Sequence, residues 1–219
     1  MSDVFDYAKY FIKLNLDTNR DTFDGNMKLQ KLLVFADLLS LAERNERLFD
    51  NDILAFEYGC VIEDVRHRYK NDCYGLVSDS KSFKPNFSQE EQKILDLTVE
   101  LFGKLSAREL SDINHAFLFW YTAYKNSIEA SGYKNKSKAV ISIDAMRDEL
   151  DKVKEMIAAY RDTQNDNQSK EIINDVIFYF SPESLTLTEE VLARLYQFSL
   201  EADDKAYSIY LDNGRLVIY

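Results

Sequence analysis

Two histidines and two cysteines are the side chains of this sequence best suited to metal binding or acid–base chemistry. His67 lies between Cys60 and Cys73, and His115 stands apart further along the chain. Together they offer four zinc ligands, but zinc modules place ligands in tight pairs such as C-x-x-C, and no such pair occurs here. We therefore predict two reduced cysteines, two ordinary histidines, no metal and no cofactor.

Signatures of catalysis are missing from the sequence. The phosphate-binding patterns GxxxxGK and GxGxxG do not occur, and neither do the GxSxG and HExxH patterns of hydrolases and metalloproteases. Because no nucleophile motif accompanies either histidine, acid–base catalysis has no recognisable reaction partner. We predict that the protein is not an enzyme.

Charge and hydropathy restrict the partners of the chain. The formal net charge is −11 without a basic patch, so phosphate backbones are repelled and direct nucleic-acid binding is not expected. No run of eighteen apolar residues predicts a transmembrane helix, and the N-terminal stretch lacks the basic and apolar segments of a secretory signal. We expect no membrane partner and a cytoplasmic location.

Apolar periodicity and capping motifs predict a mainly α protein. Two prolines and six glycines among 219 residues leave long helices uninterrupted. Capping boxes predict helix starts at Ser88 with Glu91 and at Ser106 with Glu109. The apolar spacing predicts that the second of these helices continues without a break to Tyr124.

The segment KLQKLLVFADLL, residues 28–39, is apolar nearly all round. A surface helix shows one apolar stripe and one polar face. We therefore predict that this helix, capped near Asn26, lies at the centre of a compact helical core. The aromatic, alternating run DILAFEYG follows it and predicts a short strand or extended arm ending at Gly59.

The composition changes beyond residue 162. DTQNDNQSK is typical of a polar linker, and a β-branched run, a helix and a hairpin around Asn213-Gly214 follow it. We predict a helical domain over residues 1–162 and a small α/β subdomain with three strands and one helix over residues 171–219. From Thr163 onward ten acidic residues outnumber four basic ones, a surplus that either serves solubility or steers a basic partner.

Three segments, MKLQKLLVFADLL, RLFDNDILAFEYGCVIEDVRHRYK and LSDINHAFLFW, carry a series of motifs in a fixed order. They resemble the signature of the Panacea domain, also called the SocA-like antitoxin domain and often phage-associated. The positions that match in order are Lys28 to Leu33, Phe35-Ala36, Leu48-Phe49, Ile53, Ala55-Phe56, Tyr58-Gly59, Val61, Val65, Tyr69-Lys70, Leu110-Ser111, His115 and Trp120. Cys60 replaces a usual proline, and Arg66 stands where an aromatic residue is common.

This resemblance, which extends over about Val4 to Tyr160, implies an all-helical core and an antitoxin of a bacterial or phage toxin–antitoxin pair. Such an antitoxin neutralises its toxin by direct protein–protein binding, and the cognate toxin is expected to be encoded nearby. The alternative is a regulatory or proteolytic-adaptor protein of a mobile element that acts on a host partner without a dedicated toxin. A bacterial protease is then a further partner.

A polar edge of the central helix beside an aromatic turn is the candidate partner-binding site, because interface anchors are enriched in aromatic residues and arginine. The candidate residues are Lys28, Gln30, Lys31, Tyr58, Gly59, Cys60 and Trp120. Burial in the core is the alternative for Tyr58 and Trp120.

Overall fold

The computed structural model of the protein divides into two compact units, Met1–Met156 and Ile157–Tyr219. No helix in the described part of the chain is long and apolar enough to cross a membrane. The described residues are 3–130, 132–165, 169–212 and 214–219, without the side chains of 162–165.

Helices dominate the first unit, and a two-stranded hairpin follows the second of them. The antiparallel hairpin consists of β1 (Leu54–Phe56) and β2 (Gly59–Val61). The helices are α1 (Val4–Lys13), α2 (Phe23–Arg44), α3 (Glu63–Ser82), α4 (Gln89–Phe102), α5 (Ala107–His115), α6 (Leu118–Ser127), α7 (Ile143–Arg147) and α8 (Leu150–Asn165), with a 3-10 turn at Lys136–Ala139.

Helix α2 lies at the centre of this unit, as predicted. It contacts α1, α3, α4, α5 and β2, and every side chain from Lys28 to Leu41 is buried. The helix begins earlier than the sequence predicts, because Thr22 and not Asn26 is the N-cap and accepts a hydrogen bond from the Gly25 amide at 3.2 Å. An apolar surface on all sides is thus explained by neighbours on all sides.

The two predicted capping boxes are confirmed. The hydroxyl of Ser88 accepts from the Glu91 amide, and the Glu91 carboxylate accepts from the Ser88 amide. Ser106 and Glu109 form the same reciprocal pair at the start of α5. Gly103 is the C-cap of α4.

The predicted continuous helix to Tyr124 is wrong, since α5 ends at His115 and α6 begins at Leu118. The amide of Phe119 donates to the carboxylate of Glu149 at 2.7 Å. Glu149 lies between α7 and α8, so a side chain 30 positions away stabilises the start of α6.

The boundary between the units falls within α8, and beyond the end of this helix the second unit contains a four-stranded sheet and one further helix. Strand order is β3-β4-β5-β6, with β4 and β5 parallel and the other pairs antiparallel. Its apolar core includes Phe178, Leu195 and Ile209. The elements are β3 (Ser169–Ile173), β4 (Val176–Phe180), α9 (Glu189–Ser199), β5 (Ala206–Asp212) and β6 (Arg215–Ile218).

The sequence predicts one strand too few for this unit. Asn174 and Asp175 adopt positive φ angles of 49° and 63°, so the run EIINDVIFYF folds back as a hairpin of two strands. The predicted linker is shorter than expected, because α8 continues to Asn165. Residues 166–168 of that linker, and Asn213 of the predicted turn, lie outside the described residues.

Candidate partner-binding cleft

A cleft of about 430 Å³ opens between the start of α2, the β1–β2 hairpin and α3. Its apolar lining includes Phe23, Phe56 and Tyr58. The rings of Phe23 and Tyr58 meet edge to face with centroids 5.2 Å apart, and both side chains are largely exposed, at 62% and 49%. The cleft therefore has an accessible aromatic rim.

The predicted polar edge of α2 is not at the surface. The exposed fractions of Lys28, Gln30 and Lys31 are 4%, 2% and 1%. Each of these side chains is buried because it finds a backbone partner inside the unit. Lys28 donates from Nζ to the carbonyl of Gly103 at 3.0 Å, and so satisfies the C-terminal end of α4.

Gln30 and Lys31 fasten the hairpin and α3 to α2. The side-chain carbonyl of Gln30 accepts from the amide of Ile62 at 2.8 Å, the N-cap residue of α3, which has no side-chain cap of its own. The ammonium of Lys31 donates to the carbonyl of Cys60 in β2 at 2.8 Å. Both residues also line the cleft, whereas Lys28 does not.

Two side chains of helix α5 hydrogen-bond to the backbone of the same hairpin. The hydroxyl of Ser111 donates to the carbonyl of Tyr58 at 3.1 Å, and the side-chain oxygen of Asn114 accepts from the buried amide of Cys60. Gly59 has a φ of 95°, and a Cβ atom there would lie 2.7 Å from Lys31 Cε. Only glycine therefore fits where the hairpin passes over α2.

Trp120 is buried in the core, which is the alternative given above for this residue. Its indole is buried, and Nε1 donates to the carbonyl of Phe56 at 2.8 Å. The ring stacks on His115 and on Tyr124 with centroids 4.0 and 5.3 Å away. Of the seven predicted site residues, the structure thus brings only Gln30, Lys31 and Tyr58 to the cleft lining, and the others support the hairpin or α4 from within.

Several motif residues therefore hydrogen-bond to the β1–β2 hairpin or to the residue that follows it. Their segment of the chain also matches a known protein family. Residues 29–121 match the family model of the antitoxin SocA-like Panacea domain. This match confirms the resemblance over residues 29–121, and this range is called the Panacea region from here on. No curated protein and no solved structure shows a significant match to the chain.

Burial controls the protonation of the titratable groups below the hairpin. It lowers the pKa of Lys31 to about 8 and raises the pKa of Cys60 to about 12. It also lowers the pKa of His115, and the charge of Lys31 acts in the same direction. At neutral pH the Panacea region thus contains a buried ammonium, a neutral thiol and a neutral imidazole.

Two further cations stand on the α3 wall of the cleft. Arg66 donates from Nη2 to Glu63 at 3.1 Å, but its buried Nε has no hydrogen-bond partner among the described residues. Its guanidinium lies 5.6 Å from the ring centre of Phe56. Lys70 is exposed one turn further along α3. Asp21 is the one carboxylate among the lining residues.

Four important lining residues, Phe23, Phe56, Arg66 and Lys70, are not among the predicted site residues. The spacing of Arg66 and Lys70 offers a usable signal, because side chains four positions apart share a helical face. Among the described residues, no group of three or more His, Cys, Asp or Glu side chains is arranged to hold a metal ion. Cys60 and Cys73 are both free and buried.

Proposed function

We propose that the protein is the antitoxin of a toxin–antitoxin pair and neutralises its toxin by direct binding through the Panacea region. The match of residues 29–121 to the antitoxin SocA-like family carries this proposal. The toxin is a protein encoded nearby, and the antitoxin acts on it by occupancy, without catalysis, cofactor or metal.

The cleft supports the proposal as the contact surface. Phe23 and Tyr58 present exposed rings, and aromatic side chains of this kind anchor protein interfaces at a low cost in conformational entropy. The hairpin backbone at this point is fixed, because Ser111 donates to the carbonyl of Tyr58 and Lys31 donates to the carbonyl of Cys60. A surface whose framework is fixed before binding loses less entropy on association.

Co-expression with the product of the adjacent gene tests the proposal. The neighbour alone is expected to arrest bacterial growth, and this protein is expected to restore growth and to co-elute with the neighbour on size exclusion. A harmless neighbour, or one that stays lethal in the presence of this protein, contradicts the proposal. Rescue that depends on a host protease and on loss of the neighbour would mean that the toxin is removed by proteolysis, and contradicts neutralisation by occupancy.

A matched pair of variants locates the contact. Tyr58 and Tyr74 are both exposed tyrosines, but only Tyr58 lines the cleft. Tyr58→Ala is expected to weaken toxin binding at least tenfold, since hot-spot aromatics contribute more than about 2 kcal/mol. Tyr74→Ala is expected to bind as the parent protein does. Equal affinities for the two variants would place the interface elsewhere on the Panacea region.

A further inference from the structure

We infer that the cleft receives a short segment of the partner protein that carries an aromatic or apolar side chain together with a carboxylate, and that the carboxylate pairs with Arg66 and Lys70 on the α3 wall, beside the buried charge of Lys31. The identity of the segment's owner rests on the proposed function. The chemistry of the cleft itself rests on the side chains that line it.

Lys31 supplies a buried charge that the described chain does not neutralise. An ammonium has three donors, and this one makes a single hydrogen bond, to the Cys60 carbonyl. Burying an unpaired charge is costly. Two buried carboxylates of the same unit do have partners of opposite charge, since Asp17 pairs with Arg20 at 2.7 Å and Asp37 pairs with Arg47 at 2.8 Å. Lys31 therefore lacks the kind of charged partner that the unit gives Asp17 and Asp37.

Arg66 is the second unsatisfied donor on the cleft wall. Its Nη2 is occupied by Glu63, while the buried Nε has no partner among the described residues. The side chain as a whole is 25% exposed, and a guanidinium has five N–H donors, so the N–H groups other than the buried Nε are the ones that an incoming carboxylate can reach. Lys70, exposed on the same face of α3, adds a third positive charge.

This local charge is opposite to that of the whole chain. Three cations and one acid, Asp21, line the cleft, although the protein carries a net charge of −11. The overall charge disfavours a nucleic acid, whose phosphates would be repelled along most of its length. An acidic side chain or a terminal carboxylate on a protein segment brings a single negative charge to these cations, so the repulsion that a nucleic acid meets does not arise.

The remaining lining selects for an apolar group beside the carboxylate. Phe23, Phe56, Tyr58 and Val61 form this part of the wall. The volume of about 430 Å³ lies within the range of roughly 300–1,000 Å³ typical of small-ligand pockets. It suits a short segment and excludes a folded element.

Small probes test this chemistry without the toxin. N-acetyl-tryptophan combines an aromatic group with a carboxylate, and N-acetyl-tryptophanamide lacks only the charge. In NMR titrations the first is expected to shift the amide signals of Gln30, Lys31 and Arg66 and to bind at least tenfold tighter than the second. Equal binding of the two probes, or no binding, overturns the inference. Displacement by inorganic phosphate at a lower concentration overturns it in favour of a phosphate site.

Variants of the full-length protein provide the matching control. Arg66→Gln and Lys70→Met are expected to weaken N-acetyl-tryptophan binding, the first by about tenfold, which corresponds to about 1.4 kcal/mol. Lys81→Met removes a charge from the same helix outside the cleft and is expected to change nothing. Unchanged binding by Arg66→Gln contradicts the inference.

The two proposals fail separately. If N-acetyl-tryptophan binds as described but co-expression gives no neutralisation, the cleft chemistry stands and the antitoxin role is wrong. If neutralisation occurs while the probe does not bind and Arg66→Gln keeps full affinity for the toxin, the antitoxin role stands and the carboxylate site is wrong.

Discussion

The core of the first unit contains charged and amide side chains, whereas the described core of the second unit is almost wholly apolar. Buried polar residues of the first include Gln30, Lys31, Asp37 and Asn114, and each bonds to the backbone of a part of the chain outside its own helix. In the second, Ser199 is the only buried polar residue among those described. An apolar core specifies volume, but a buried polar group also specifies its partner. The family match over residues 29–121 lies wholly within the unit with the polar core.

The largest expected effect comes from the polar core. Asp37 accepts from the amide of Leu48 at 2.8 Å and pairs with Arg47. Asp37→Leu is expected to lower the free energy of unfolding by about 3 kcal/mol, because it leaves a largely buried cation unpaired. Urea unfolding followed by the fluorescence of Trp120 measures the first unit specifically, since the chain has one tryptophan.

Glu46→Gln is the control for this prediction. It breaks the exposed Arg44–Glu46 pair, whose carboxylate is 68% exposed, and is expected to change stability by less than about 0.5 kcal/mol. If Asp37→Leu is no more disruptive than this control, buried polar groups do not distinguish the two units.

A pH series on Lys31 sharpens the comparison. Burial lowers its pKa from 10.5 to about 8, so between these values the folded state binds fewer protons than the unfolded state, and stability from this group rises with pH. The stability of the parent relative to Lys31→Met is therefore expected to improve by on the order of 2 kcal/mol between pH 7 and pH 10.

Cys60 acts in the opposite direction above pH 9, because burial raises its pKa to about 12, but it is present in both proteins. Lys81→Met is expected to show no such trend. A stability difference between the parent and Lys31→Met that is the same at both pH values would mean that Lys31 titrates normally in the fold.

The apolar core is expected to be more tolerant. Phe178 is fully buried in β4, and Phe178→Leu is expected to cost about 1 kcal/mol because shape changes among apolar side chains are partly absorbed by repacking. Hydrogen exchange of the β4 amides measures this, with the exposed Ile172→Ala on β3 as the control. Loss of protection at all β4 amides in Phe178→Leu would show that the apolar core tolerates substitution no better than the polar core does.

The smallest effect is expected from the acidic surface of the second unit. Glu201→Gln combined with Asp204→Asn is expected to change stability by no more than about 0.5 kcal/mol, because both side chains are exposed. Asp203 is kept, since it accepts from the hydroxyl of Tyr207 at 2.6 Å. The association rate of this double variant with the toxin, measured at two salt concentrations, then decides between solubility and steering.

Local signals in the sequence predict much of the fold. The capping boxes at Ser88 and Ser106 act within four residues, so their effect is visible in the sequence. The turn at Asn174-Asp175 can also be predicted from the sequence, because both residue types tolerate positive φ. The break before α6 cannot be predicted in this way, because the group that stabilises the start of α6 is Glu149, far along the chain.

The site is less predictable for a related reason. Lysines on a helix are usually exposed, so the sequence predicts that Lys28 and Lys31 form a surface edge. Their burial depends on carbonyl acceptors at Gly103 and Cys60, which reach them only in the folded unit. The motif therefore indicates where the site lies, at the hairpin beside α2, but not which of its side chains face the partner.

The burial of α2 on all sides also has a consequence for synthesis. The helix is complete once Arg44 has been added, but α5, one of its covering elements, begins only at Ala107. At roughly 5–20 residues per second, the ribosome needs several seconds to make the intervening chain. During that interval the face of this largely apolar helix that α5 later covers stays exposed, so the nascent chain is expected to be a client of ribosome-associated chaperones. Pausing of translation between α2 and α5 should then lower the yield of folded protein more than pausing after α5.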